Sequence, residues 1–194
     1  GMLYYSPQIW CSDDTDAIER LTIQEGTALI YPLSAIGAHV SDCPNHAVGR
    51  VTPFITRGHV ALAGTFGYEL DITKLSDRER ELIPQQVAMY HRYNDIIRKG
   101  NYYRLASYRE NHSYDCWQVV SEDGSEILVT YVQVLGRPNC HTRRIKLQGL
   151  DPSASYQIQE SERVYGGDAL MYAGLLLPNL WGDSQSVMIT LKKC

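Results

Sequence analysis

The apolar pattern of this chain changes at Gly100, and that change constrains the fold more than any other feature. Before it, residues 76–79 (SDRE) form a capping box, in which a serine and a glutamate three residues later satisfy the first backbone N–H groups of a helix. This helix should end with Arg98 and Lys99 in its last turn and Gly100 just beyond it, while Pro84 predicts a kink or a restart. We therefore expect two domains, residues 1–100 and residues 101–194.

After Gly100, apolar side chains recur at every second residue, which is the period of a β-strand. Strands are predicted at residues 102–105, 116–120, 126–134, 143–150, 155–159 and 186–192. Residues 121–125 (SEDGS) predict a hairpin turn between the second and third of these strands. Several short strands separated by turns favour an antiparallel β-sandwich for the second domain.

The first hundred residues alternate between strand-like and helix-like patterns. The predicted elements are strand-like stretches at residues 2–5 and 8–10, a helix at 14–25 that stops at Gly26, a buried strand at 29–33, a polar loop at 37–50, a short helix within 52–62 and a strand ending near 68–71. This order is typical of α/β proteins with parallel strands, in which the functional groups follow the carboxyl ends of the strands.

An acidic segment between the second strand-like stretch and the first helix is the strongest candidate for chemistry. Asp13, Asp14 and Asp16 fall within four residues, directly after Ser12. A second negative charge beside the first is costly, whereas a helix N-terminus favours an anion, so a carboxylate here can hold or release a proton as a general acid/base does. Two alternatives remain open: the acids cap the helix, or they bind a metal ion, although their spacing is not that of a calcium loop.

Composition limits the class of protein. The chain has 194 residues, 44% hydrophobic side chains and a net charge of −4, which is ordinary for a globular protein and offers no basic surface for nucleic acid. No apolar run approaches the ~20 residues of a membrane span. Five dispersed cysteines without a C-x-x-C pair favour reduced thiols and a cytoplasmic location. His39 and His46 lie too far apart for a usual metal-ligand pair, so we expect no metal and no cofactor.

A long stretch around the acidic segment resembles the bacterial α-galactosidases (melibiases) of glycoside hydrolase family 36. The matching segments are MLYYSPQIWCSDDTDAIER at 2–20, GT at 26–27, LIYP at 29–32, GAHVS at 37–41, PNH at 44–46 and RGHVALAGTFGYELD at 57–71, with weaker matches, GDALM at 167–171 and AGL at 173–175. The resemblance covers most of the chain and is too long to be a short-motif coincidence.

The resemblance implies an enzyme that hydrolyses terminal α-galactosides such as melibiose and raffinose with retention, on a (β/α)8 TIM barrel. The family's acid/base aspartate falls on Asp13, and we expect Asp13 and Trp10 to contact the sugar. The family's nucleophile lies in an upstream Lys-Trp-Asp motif that these 194 residues do not contain. We therefore expect the last strands and helices of a barrel followed by a C-terminal β-sandwich, in a fragment that is inactive alone.

Two other hypotheses stay open at this point. The chain could be a non-catalytic β-sandwich that binds carbohydrate or assembles with other chains, or a truncated reading frame without a role of its own. Open strand edges and apolar helix faces in a partial barrel would favour a homo-oligomer. The polar residues of the loop, His39, Asn45, His46 and Arg50, are candidates for contacts to substrate or to a neighbouring subunit, or they tie down the loop itself.

Overall fold

The computed structural model describes residues 1–139 and 142–194, so Cys140 lies outside the described residues. The chain divides into two units, Gly1–Arg98 and Lys99–Cys194. The helices of the first unit are α1 (Met2–Tyr5), α2 (Ala17–Ala28), α3 (Phe54–Ala61) and α4 (Asp77–Lys99), and its strands are β1 (Gly37–Ser41) and β2 (Thr65–Glu69). Short 3₁₀ turns span Leu33–Ala35 and Ile72–Lys74.

The first unit is built on parallel strands connected by helices. β1 pairs with β2 in parallel, with Gly37 opposite Thr65 and Ser41 opposite Glu69. A parallel bridge joins Ile9 to Ile36, so the segment before the acidic residues forms a third, very short member of the same set. An added Cβ at Gly64 would lie 2.7 Å from the carbonyl oxygen of Ile36, which explains why a glycine leads into β2.

The sequence predictions for this unit were partly wrong. Residues 2–5 form an exposed helical turn instead of a strand, and residues 29–33 do not form a buried strand, since Leu29 and Ile30 are 63% and 80% exposed. The strand lies in residues 37–41, where a loop was predicted. The cause is α2, which starts later than expected, at Ala17, and continues through Gly26, leaving residues 29–32 to form the turn that leads towards β1.

Helix α4 agrees better with its sequence. The capping box is confirmed: the Ser76 N–H donates to Glu79 at 3.1 Å, and the Glu79 N–H donates to the Ser76 hydroxyl at 3.3 Å. The helix ends at Lys99, as predicted, but it does not restart at Pro84. Pro84 and Arg80 are exposed, so the carbonyl that loses its intrahelical donor can bind water instead.

The second unit consists mainly of antiparallel strands. They are β3 (Asn101–Ala106), β4 (Tyr114–Val120), β5 (Glu126–Gln133), β6 (Arg144–Ile145), β7 (Ser155–Ile158), β8 (Val164–Gly166), β9 (Leu175–Leu176) and β10 (Gln185–Lys193), with helical turns α5 (Tyr108–Asn111) and α6 (Gly167–Tyr172). Six of them form one sheet in the order β3-β4-β5-β10-β7-β8, and β6 pairs with β9. The predicted strand at 143–150 is reduced to Arg144–Ile145.

The partly buried His59, in the last turn of α3, makes the stability of the first unit depend on pH. Burial lowers the pKa of His59 from 6.5 to about 4. The unfolded chain therefore binds more protons than the folded chain between these values, so stability is full above about pH 6.5 and falls as the pH is lowered towards 4. We expect the free energy of unfolding to drop by about 1–2 kcal/mol from pH 7.5 to pH 5.

Urea titrations of the 194-residue chain at the two pH values test this expectation. His59→Gln should flatten the pH dependence because glutamine does not titrate, although His39 adds a change of the same sign. His91→Gln, a change at an exposed histidine on α4, should leave the dependence as it is in the unmodified chain. Equal pH dependence in the chain and in His59→Gln would contradict the assignment to His59.

Candidate active site

The candidate site lies at the edge of the first unit where the parallel strands end. The Ile9 N–H donates to the Ala35 carbonyl at 2.6 Å, and the Gly37 N–H donates to the Ile9 carbonyl at 2.9 Å, which fixes this segment beside β1. The acidic segment begins four residues after Ile9, at Asp13, and Glu69 is the last residue of β2. Because parallel strands point the same way, their last residues meet at one edge.

The carboxylates of the acidic segment differ in whether they accept hydrogen bonds from the backbone. Asp16 is the N-cap of α2 and accepts hydrogen bonds from the N–H groups of Ile18 and Glu19. Asp14 accepts from the N–H of Asp16 at 3.0 Å, which holds the turn before the helix. The capping interpretation is therefore correct for Asp16, and Asp14 supports it.

Asp13 is exposed, and its environment differs from that of its neighbours. Its Oδ1 accepts a hydrogen bond from the indole Nε1–H of Trp10 at 3.0 Å. The carboxylate thus faces solvent at the strand edge instead of a backbone, and a side chain three residues earlier orients it. An exposed carboxylate of this kind can exchange a proton with a group bound at the strand edge.

Trp10 is held by stacking on a histidine. Its ring lies parallel to the imidazole of His39, with the centroids 4.6 Å apart and the planes inclined by 6°. The Nε2 of His39 lies 2.7 Å from Oε2 of Glu69, although the approach is too poorly aligned for a regular hydrogen bond. Burial lowers the pKa of His39, and the nearby Arg20 adds to this, while Glu69 opposes it. A cavity of about 390 Å³ opens beside Trp10 and Tyr31.

A buried arginine lies beneath the acidic segment. Arg20 donates to the Gly37 carbonyl at 2.7 Å, to the Gln24 amide oxygen at 3.1 Å and to the Ser12 carbonyl at 3.4 Å. Burial lowers the pKa of Arg20, while the charges of Asp14 and Glu69 act in the opposite direction. Arg20 therefore connects the start of the acidic segment to the first residue of β1.

The structure gives two of the polar loop residues local partners. Asn45 is buried, donates to the Thr15 hydroxyl at 3.1 Å and accepts from the N–H groups of Ala47 and Val48. Arg50 pairs with Asp16 and Glu19; burial opposes its charge, but these carboxylates outweigh it and raise the pKa of Arg50. These two residues thus hold the loop and the start of α2, whereas His46 is exposed.

The sequence did not indicate the row formed by Trp10, His39 and Glu69. His39 was a candidate for contacts to substrate or to a neighbouring subunit, or for holding the loop, and Glu69 was not singled out at all. No signal in the sequence identifies Glu69, since the β1–β2 register, which pairs His39 with Gly67 and Ser41 with Glu69, is seen only in the structure. Within residues 1–139 and 142–194, no group of three or more His, Cys, Asp or Glu side chains is arranged to hold a metal ion. None of the helices in this part of the chain is both long and apolar enough to cross a membrane.

The chain matches models of a known protein family and several of its members. The model of the Melibiase family matches residues 1–100, and the model of the glycosyl hydrolase family 36 C-terminal domain matches residues 114–191. Alpha-galactosidase AgaA of Geobacillus stearothermophilus is 53% identical over 192 residues, which cover 99% of this chain and 26% of AgaA. The bifunctional alpha-galactosidase/sucrose kinase AgaSK of Mediterraneibacter gnavus is 51% identical over 178 residues, which cover 92% of this chain and 19% of AgaSK.

A solved structure agrees with these sequence matches. A variant of AgaA from Geobacillus stearothermophilus in complex with raffinose superposes with a TM-score of 0.96 at 51% identity, covering 100% of this chain and 27% of that one. The chain spans about a fifth to a quarter of the length of these curated relatives. Because one family model covers more than half of the chain and its high-identity relatives are alpha-galactosidases, the chain belongs to the melibiases of glycoside hydrolase family 36.

Proposed function

We propose that this chain forms the acid/base side of an α-galactosidase active site that hydrolyses α-galactoside oligosaccharides such as melibiose and raffinose with retention. Asp13 is the general acid/base, and Trp10 contacts the sugar. The observation that carries the proposal is the exposed Asp13 carboxylate at the strand edge, held on one oxygen by the Trp10 N–H.

The chemistry follows from that arrangement. With Oδ1 engaged by the indole, Oδ2 carries the proton to the glycosidic oxygen as the bond to the leaving sugar breaks. The same oxygen then takes a proton from the water that attacks the glycosyl–enzyme intermediate. Trp10 is 53% exposed, so one ring face remains available for the apolar face of a sugar.

The second carboxylate of a retaining enzyme must lie about 5–5.5 Å from the first, across the sugar. Asp14 and Asp16 do not fit this role, since both accept backbone hydrogen bonds and Asp16 is only 2% exposed. We therefore place the nucleophile outside these 194 residues, in the upstream Lys-Trp-Asp motif that the family resemblance implies.

We propose the corresponding domain assignment. Residues 1–100 are the last strands and helices of a (β/α)8 TIM barrel, supported by the parallel set of Ile9, β1 and β2 with α2 and α3 between its members. Residues 101–194 are a C-terminal antiparallel β-sandwich. Support comes from a common core that joins Val129 and Tyr131 of the six-stranded sheet to Ile145 and Leu175 of the small sheet.

Self-association and a cytoplasmic location are further proposals. Homo-oligomer formation is supported by exposed apolar side chains within the first thirty residues, Met2, Tyr4, Tyr5 and Ile30. A reducing compartment is supported by the four free thiols in the described part of the chain, Cys11, Cys43, Cys116 and Cys194.

A chimera tests the function. In it, this chain replaces the matching quarter of AgaA, with which it is 53% identical. We expect the chimera to hydrolyse raffinose and the 194-residue chain alone to show no turnover, because only the chimera contains both carboxylates.

Two outcomes would overturn this proposal. One is turnover of an α-galactoside by the chain alone that disappears in Asp13→Ala. The other is a chimera that melts cooperatively and binds raffinose but does not cleave it. Galactoside binding by the chain alone that survives Asp13→Ala would favour the carbohydrate-binding module instead.

A further inference from the structure

Three successive parallel segments each contribute one side chain to a row near their carboxyl ends. Trp10 follows the bridge at Ile9, His39 lies in β1, and Glu69 ends β2. The row runs from the Glu69 carboxylate through the imidazole and the indole to Asp13, by contacts of 2.7 Å, a 4.6 Å ring stack and a 3.0 Å hydrogen bond.

From this row we infer that His39, braced by Glu69, is a positioning residue that fixes the orientation of the Trp10 indole and, through it, selects which oxygen of Asp13 carries the proton. The inference rests on the proposed role of Asp13 as the general acid/base. It assigns His39 and Glu69 a task in proton transfer without contact to the substrate.

His39 has the rigidity that this task needs. Its side chain is only 6% exposed, whereas that of Glu69 is 53% exposed. Trp10 itself is half-exposed and follows the bridge at Ile9, and its ring contacts are the stack on His39 and the hydrogen bond to Asp13. The parallel stack on a buried ring therefore determines the plane of the indole and the direction of its N–H.

The direction of that N–H has a chemical consequence. A carboxylic acid can carry its proton on either oxygen, and the indole N–H needs an unprotonated oxygen as its acceptor. While the indole holds Oδ1, the proton resides on Oδ2. If the indole turned away, the proton would distribute over both oxygens and the carboxyl group would rotate, so fewer encounters would have the donor oxygen in reach of the glycosidic oxygen.

Leaving-group dependence distinguishes positioning from simple packing. A leaving sugar needs a proton because its alkoxide is strongly basic, whereas a nitrophenolate leaves without one. Loss of positioning therefore slows the cleavage of raffinose more than the cleavage of nitrophenyl α-galactoside. A purely structural defect lowers both rates by the same factor, since it reduces the amount of folded enzyme.

The experiment compares four variants of the AgaA chimera on these two substrates. We expect His39→Ala to lower kcat/KM, which reports the step in which the leaving group departs, about tenfold more for raffinose than for the nitrophenyl substrate. His39→Phe, which keeps a ring against the indole, should restore most of the loss. Glu69→Gln should cause a smaller loss of the same kind, and His91→Ala, at an exposed histidine of α4, should match the unmodified chimera.

A second measurement needs no activity. The chain contains three tryptophans, and Trp10→Phe identifies the indole N–H signal of Trp10 in the NMR spectrum of the 194-residue chain. Hydrogen exchange at this N–H should accelerate about tenfold in His39→Ala, because the hydrogen bond to Asp13 is then less populated, but not in His39→Phe.

The outcomes separate this inference from the proposed function. Equal losses on both substrates in His39→Ala, with unchanged exchange at the Trp10 N–H, would overturn the positioning role while Asp13→Ala still shows the leaving-group dependence. If Asp13→Ala itself shows no such dependence, the acid/base assignment fails, and the positioning role with it.

Discussion

Replacing Asp13 with alanine in the AgaA chimera should lower the turnover of raffinose by about 10³-fold, which is the usual contribution of a positioned general acid. The chimera would still bind the sugar and still hold the nucleophile. It would lack the proton that the departing oxygen needs. Steady-state kinetics on raffinose and on nitrophenyl α-galactoside measure the loss.

The two substrates should respond differently to this change. The nitrophenyl substrate should still form the glycosyl–enzyme rapidly, because its leaving group needs no proton. The second step, in which Asp13 acts as base towards water, should then limit the rate and produce a burst of nitrophenol. Added azide should raise the steady rate, since this nucleophile needs no general base.

Asp77→Ala is a matched control for the removal of a carboxylate. The Asp77 side chain is 91% exposed in the first turn of α4 and pairs with Arg80 on the surface. Its loss should leave both rates within about twofold of the unmodified chimera. A uniform loss on the two substrates in Asp13→Ala, without a response to azide, would argue against proton transfer by Asp13.

Local signals in the sequence were reliable where short-range physics determines the structure. The capping box at Ser76–Glu79 and the end of α4 at Lys99 depend on residues within one turn of each other, and the structure confirms both. The hairpin between β4 and β5 is also confirmed, since its turn residues adjoin both strands.

The secondary-structure predictions failed where tertiary contacts determine which residues form a strand. The apolar residues at 29–33 have the composition of a buried strand, but a short apolar run does not determine its own partner, and the turn after α2 exposes Leu29 and Ile30. Conversely, Gly37 and Ala38 have little strand propensity, yet they form β1 because it pairs with β2 along its whole length.

The candidate site likewise has one part that local sequence indicates and one part that depends on tertiary contacts. Asp13 could be proposed from the sequence because three acidic residues fall within four positions and the family resemblance places the acid/base aspartate on the first of them. The Trp10–His39–Glu69 row could not, since its members are 29 and 30 residues apart and only the register of three strands brings them together. The residues that hold a site side chain in its orientation are often far from it in sequence.

Arg20→Met should reduce the free energy of unfolding of the first unit by about 3 kcal/mol, the largest stability change that we expect from a single substitution in this chain. Arg20 is 2% exposed and supplies donors to the Gly37 carbonyl and to Gln24. Methionine fills most of the same space but donates no hydrogen bond, so these acceptors would be left buried and unsatisfied.

Urea titration of the 194-residue chain, followed by tryptophan fluorescence, measures the change for Arg20→Met. Arg80→Met, a change at an exposed arginine that pairs with Asp77, is the matched control and should shift the free energy by no more than about 0.5 kcal/mol. Similar values for the two variants would contradict the role of Arg20 as the link between the acidic segment and β1. A selective loss in Arg20→Met would support that role and would extend it to the segment that carries Asp13, because the same guanidinium also donates to the Ser12 carbonyl next to Asp13.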